Sequence, residues 1–290
     1  MRPDPTHATD LPPAPIRRIV LATDLGVDAP QLFADSLGLA MRAHAVLTLV
    51  HVDDPARPEA TWRRLPSARE LLERWGRVDP SGAHTDLERL GVRVHTLEKP
   101  AVDLDLGRAV SRAVAELAPD LLVLGTSART GLERLVEGSV AENVVQDIHS
   151  ATLLVPHHAR GLVHPLAGVI RLKRVLVPVT SAVPQQPVID ALNRLLAAVA
   201  PGPVVFRMVH VGTSATLPTV SLPARSDWMW KTELRAGALV EEIVDAALEH
   251  DADLVAMATL GHDGFLDAVR GSVMERVLRR SPCPVLAVRV

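Results

Sequence analysis

The sequence predicts an α/β fold in two tandem doubly wound copies, each a parallel sheet flanked by helices. Three observations predict it: sequence blocks that recur in one order, strand-like runs that are short and almost wholly apolar, and amphipathic helical runs between them. Strand, helix, strand in alternation means βαβ units with right-handed crossovers.

The recurrent blocks are collinear. Ile19-Val-Leu-Ala-Thr-Asp24 matches Val175-Leu-Val-Pro-Val-Thr180, and Leu47 to Val52 matches Val205 to Val211. Asp120-Leu-Leu-Val-Leu-Gly125 matches Asp253-Leu-Val-Ala-Met-Ala258. Gly138-Ser139-Val140 with Glu142 matches Gly271-Ser272-Val273 with Glu275, and Ala151 to Pro156 matches Cys283 to Val288. The offset is 156 residues at Asp24 and Thr180, 159 at His51 and His210, and 133 at Asp120 and Asp253. Copy one therefore carries an extra segment, near Thr61 to Leu90, whose leucines and Trp75 fit added helix. Copy two has a Pro-rich stretch from Leu217 to Pro223 instead, leading to Trp228-Met-Trp230.

Runs apolar at nearly every position suit parallel strands covered on both faces. Helices are expected over 30–43, 104–117, 140–148, 186–199, 239–249 and 273–279. Leu106, Ala109, Val110, Ala113, Val114 and Leu117 recur at helical spacing and mark one apolar face. Residues 1–15 read as a disordered N-terminus, 16–157 as the first domain, 158–171 as a linker and 172–290 as a shortened second domain.

Composition narrows the function. Of 290 residues, 48 % are apolar and 22 % charged, with net charge −3, which offers neither a nucleic-acid groove nor a polybasic membrane anchor. Aromatics are few (four Trp, three Phe, no Tyr), so the core must be aliphatic. The single cysteine, Cys283, excludes an intrachain disulfide and reads as a small buried hydrophobe. The N-terminus lacks a signal-peptide apolar region, and no apolar run approaches the roughly 20 residues that span a bilayer, so a cytoplasmic protein is expected. His149, His157, His158 and His164 lack zinc-site spacing and read as polar residues of the linker region. His51 and His210, equivalent in the two copies, read as satisfied strand-end histidines. No Gly-x-Ser-x-Gly elbow and no Walker lysine is present, so no dedicated enzyme is implied.

Ligands of open parallel sheets bind beyond the carboxyl ends of the strands, where the strand order reverses. With five strands per copy, that reversal is expected between the first strand and the fourth. Asp24 and Thr180 end the first strands; Gly125 and Ala258 begin the loops after the fourth. Each loop runs to a Gly-Ser at a helix start, where unpaired N–H groups favour an anion. Ser139 and Ser272 each precede a Glu by three residues, the spacing of a capping box. A phosphate site and a plainly capped helix both fit this pattern.

These residues resemble the universal stress protein family, over about 16–155 and 172–290. That family carries Gly-x-x-Gly, nine residues, then Gly-Ser or Gly-Thr after its fourth strand, and members that keep the pattern tend to bind ATP. Copy one reads Gly125-Thr-Ser-Ala128, then Gly138-Ser139; copy two reads Ala258-Thr-Leu-Gly261, then Gly271-Ser272. Each thus departs at one glycine, by an added methyl that crowds a phosphate. Asp24 matches the aspartate that contacts the nucleoside; Thr180 does not. Val52 and Val211 match the position whose backbone faces the adenine, and Arg129 and His262 stand where they can help neutralise phosphates.

The resemblance implies a five-stranded sheet of the adenine nucleotide alpha hydrolase-like type in each domain. It implies a stress-response regulator binding ATP, with Mg2+, or a related adenine nucleotide, chiefly in domain 1. The implied binding residues are Asp24, Val52, Gly125, Ala128, Arg129, Gly138, Ser139 and Val140, with Val211, Gly261, His262, Gly271, Ser272 and Val273 in copy two. At most slow, incidental ATP hydrolysis is implied. The other reading is a scaffold of the same fold that binds no nucleotide and acts on an unknown protein partner. In that family the last strand commonly mediates dimerisation. The two copies here are therefore expected to pair with each other as an internal pseudo-dimer, which leaves open whether two chains then associate.

Overall fold

The computed structural model describes residues 13–53, 62–81, 89–99, 106–126, 150–259 and 273–290. Copy one comprises β1 (Arg18–Ala22), α1 (Ala29–Ala43), β2 (Val46–Val52), α2 (Ala68–Arg74), β3 (Arg93–Lys99), α3 (Leu106–Leu117), β4 (Leu121–Thr126) and β5 (Ala151–Pro156). Copy two comprises β6 (Arg174–Pro178), α4 (Gln186–Val199), β7 (Val204–Val211), β8 (Trp228–Arg235), α5 (Leu239–Glu249), β9 (Leu254–Thr259), α6 (Val273–Leu278) and β10 (Val285–Arg289). The helix expected over 140–148 lies outside the described residues.

The strand order is β3-β2-β1-β4-β5-β10-β9-β6-β7-β8. Each copy is doubly wound, and its order reverses between its first strand and its fourth. All neighbours are parallel except β5 and β10, which pair antiparallel with Leu154 opposite Val285 and Leu153 opposite Leu286. The two five-stranded sheets therefore join through β5 and β10 as one ten-stranded sheet. The physical reason is that β5 and β10 are apolar on both faces, and an unpaired edge of that kind exposes both backbone polar groups and buried-type side chains.

Strand residues alternate between two cores. Ile19 and Leu21 of β1 join α1, α2 and α4, which cover one face; Val20 and Ala22 join α3, α5 and α6 on the other. α1 and α4 pack on each other, so the first core runs through both copies. Leu162, Val163 and Leu172, in the segment between the copies, are fully buried in it. Arg194 of α4 donates to the Ala14 and Pro15 carbonyls and to Asp120 Oδ1 at 2.6 Å, binding copy two to the start of copy one.

The extra segment of copy one holds a single helical turn (Trp62–Arg64) and then α2, started by a Ser67–Glu70 capping box. Trp75 follows α2 and packs into the first core. In copy two, Leu217, Val220 and Leu222 of the Pro-rich stretch pack against the same core. Trp230 stacks on Phe206 there, with ring centroids 3.9 Å apart. Cys283 is fully buried, and burial pushes its thiol up to about 12, which keeps it a protonated hydrophobe.

Candidate functional site

The site is set by the reversal between β1 and β4. Ala22 is the last residue of β1, so Thr23 and Asp24 leave the sheet there, next to Gly125 near the end of β4. The Thr23 hydroxyl accepts from the Leu25 N–H at 3.0 Å, and Asp24 Oδ1 accepts from the Gly26 N–H at 2.9 Å. These two bonds turn the chain from β1 into α1 and leave the Asp24 carboxylate exposed at the mouth. Leu25 has φ 55°, a left-handed conformation that a branched side chain rarely adopts. It persists because the Leu25 side chain is buried, and such backbone strain clusters where a ligand is clamped.

Copy two builds a milder turn. Thr180 Oγ1 accepts from the Ala182 N–H at 3.2 Å, and φ is not positive at Ser181. A neutral hydroxyl thus stands where copy one presents a carboxylate. A carboxylate accepts from two hydroxyls of a sugar at once, whereas one hydroxyl cannot match that.

His51 and His210 do the same work in the two copies. His51 Nδ1 lies 2.9 Å from the Thr23 carbonyl, and His210 Nδ1 lies 2.9 Å from the Val179 carbonyl. A carbonyl only accepts, so Nδ1 carries the proton in each ring. Both rings are buried and lock the second strand to the end of the first. They position the turn.

Of the predicted residues, the structure brings Asp24, Gly125 and Val52 to the carboxyl ends of β1, β4 and β2, which are neighbouring strands. Val52 is buried; Gly125 is half-buried, opposite Val155 of β5. Val211 ends β7 and Val273 opens α6 in copy two. Ala128, Arg129, Gly138, Ser139, Val140, Gly261, His262, Gly271 and Ser272 lie outside the described residues. Gly125 has a packing role of its own: a Cβ there would come 2.5 Å from Leu32 Cδ1 of α1.

The histidines between the copies make protein contacts. His157 Nδ1 is 2.5 Å from Asp28 Oδ1, His158 Nε2 is 3.0 Å from the Ser281 carbonyl, and His164 Nδ1 accepts from the Leu166 N–H. His149 lies outside the described residues. Among the described residues, Glu233, Glu249 and His250 bring three potential metal ligands together. Arg235 lies among them, bonded to both glutamates, and burdens the site with a fixed positive charge, so the group is an ion-pair network.

Sequence reasoning missed two things near the site. One is Trp62, whose ring stands edge-on to His51 at 6.0 Å and whose Nε1 donates to Glu98 Oε2. Only its place in the segment particular to copy one marked it. The other is Asp120 and its counterpart Asp253, whose Oδ2 atoms accept from the N–H groups of Arg17 and Arg18 and of Lys173 and Arg174. Their recurrence in both copies was the available signal.

The model of the universal stress protein family matches residues 15–156 and 225–289. A universal stress protein of Methanocaldococcus jannaschii is 28 % identical over 146 residues, 48 % of this chain and 81 % of that protein. Among solved structures, a universal stress protein from Archaeoglobus fulgidus superposes with a TM-score of 0.59 at 16 % identity, covering 94 % of this chain and 96 % of that one. A functionally unknown protein from Pseudomonas aeruginosa PAO1 gives 0.54 at 14 % identity, covering 94 % and 92 %. At these identities the structural likeness is one of fold.

Proposed function

Starting from the fact that this chain belongs to the universal stress protein family, we propose that it binds ATP or a related adenine nucleotide in copy one and acts as a stress-response regulator. The observation that carries this reading is the Asp24 turn. An exposed carboxylate stands at the strand-order reversal, on a strained backbone, and copy two has a neutral threonine there. Its chemistry suits the hydroxyls of a ribose. The segment 127–149 would hold the phosphates, and Mg2+ would accompany them as their counter-ion. The reading includes a cytoplasmic location and no dedicated catalysis. No helix among the described residues is long and apolar enough to cross a membrane.

A second reading is favoured by Gly125. The missing Cβ there makes room for the tip of the Leu32 side chain whether or not a phosphate ever approaches, which supports a scaffold of this fold acting on a protein partner. Titration calorimetry with ATP separates the two. The nucleotide reading expects saturable binding that Asp24→Ala weakens at least about tenfold, the cost of losing a hydrogen bond to a charged group. Absence of binding to the folded protein at millimolar ATP would leave the scaffold.

A further inference from the structure

The segment between the copies is a strap fastened to both. At its start His157 pairs with Asp28, at the N-terminus of α1. Its middle reaches copy two, where the Arg160 guanidinium donates to the carbonyls of Asp251 and Ala252 and to Asp253 Oδ1. It then returns to α1, where the Val163 N–H donates to Asp35 Oδ1 at 2.7 Å. Gln31 completes the contact by donating to Asp35 Oδ1 at 2.9 Å and to the Val163 carbonyl at 3.0 Å. Close approach depends on Gly161, since a Cβ there would lie 2.2 Å from Gln31 Nε2 and 2.6 Å from Asp35 Oδ2.

Asp35 is fully buried, and its two oxygens are used unequally. Oδ1 takes the Val163 and Gln31 hydrogen bonds, while Oδ2 makes none, although the Leu162 N–H also bears on the carboxyl. An anion buried with one oxygen unpartnered is costly, and protonation at Oδ2 removes the charge that makes it so. We propose that Asp35 is a proton-operated latch: protonated, it holds the strap 161–163 on α1; ionised, it releases the strap and loosens the tie between the two copies.

The charges around it are consistent with this. Burial raises the carboxyl to about 7, against the lowering effect of hydrogen bonds from the Val163 N–H, Gln31 and the Leu162 N–H and of Arg171 on the returning limb. The other titratable groups nearby on the packed elements are Asp28 and His157 at the head of α1 and His164 next to Val163. They are unchanged in an Asp35→Asn variant, so any pH dependence that survives the substitution belongs to them. The sign follows from linkage. The folded state binds a proton that the unfolded state has released between the ordinary aspartate range and pH 7, so stability falls as pH rises across that interval and is flat above it.

The test is denaturant unfolding of the intact chain from pH 5 to pH 8, together with hydrogen exchange. The unfolding constant of the native protein should rise by on the order of tenfold to a hundredfold across this range relative to Asp35→Asn. The amides of Leu162 and Val163 should lose protection between pH 5 and pH 7 faster than the central strands do, in the native protein and not in the variant. Equal pH dependence in the two proteins, or strap amides that track the central strands, would overturn the latch. If Asp35→Asn does not fold, the carbon-13 carboxyl resonance of Asp35 in the native protein decides: titration near pH 7 supports the latch, and titration in the ordinary aspartate range removes it.

Discussion

Asp120 and Asp253 illustrate how single side chains set this fold. Each stands at the head of a fourth strand and accepts two consecutive backbone N–H groups at the start of a first strand, so each fixes the register on which the site depends. Asp253 is the more deeply buried of the two and is also paired with Arg160. Replacing it with Ala should cost about 2–3 kcal/mol in urea denaturation, and Asp120→Ala about 1–2 kcal/mol, because the stranded N–H groups of Asp120 lie nearer to water. Burial raises Asp120, but hydrogen bonds from Arg17, Arg194 and Arg18 outweigh it and hold the carboxyl below its ordinary range. Its contribution is therefore present above that range and disappears as pH falls through the lowered value. An acid titration of stability should lose this component in Asp120→Ala. The sequence showed both aspartates through their repetition. It showed nothing of Asp35, which reads as one polar residue in an apolar helix; its role depends on a chain segment more than 120 residues away.

At the scale of elements, helix α1 reaches the sheet over Gly125. Gly125→Ala would bring a methyl to 2.5 Å from Leu32 Cδ1, the tip of a flexible side chain, so the cost should sit at the low end of overpacking, about 1 kcal/mol. A smaller partner should relieve it, so Leu32→Val combined with Gly125→Ala should be less destabilised than the sum of the single variants. A double-mutant cycle measures that difference, and strict additivity would argue against the contact. Helices α4 and α5 lie where their apolar periodicity placed them, because each presents a clear face to an aliphatic core. The edge strands β3 and β8 were not legible. β3 (Arg-Val-His-Thr-Leu-Glu-Lys) is half-polar because one side has no neighbouring strand, so it lacks the unbroken apolar signature of a central parallel strand. In β8 the signal was split between an aromatic start and a charged end that belongs to the Glu233–Arg235 network.

Across the whole molecule, one antiparallel seam turns two repeats into a single sheet. Leu153 and Leu154 of β5 face Leu286 and Val285 of β10, all fully or nearly fully buried. Ala287, opposite Thr152, lies at this seam. Ala287→Pro should break the ladder, lower the unfolding midpoint and split the calorimetric transition into separate events for the two copies, since proline is excluded from paired central strands. A single transition at the native midpoint would show that the seam does not couple them. The repeat was readable because the blocks recur collinearly. The joining of the sheets was readable only as an exposed apolar edge seeking a partner.

The two copies differ at the end of their first strands: Asp24 stands on a strained turn in one, Thr180 on a relaxed turn in the other. Native mass spectrometry of the intact chain with ATP tests it most directly. One nucleotide per chain, lost in Asp24→Ala and kept in Thr180→Ala, is the predicted result. Two nucleotides per chain, or one that survives Asp24→Ala, would contradict it.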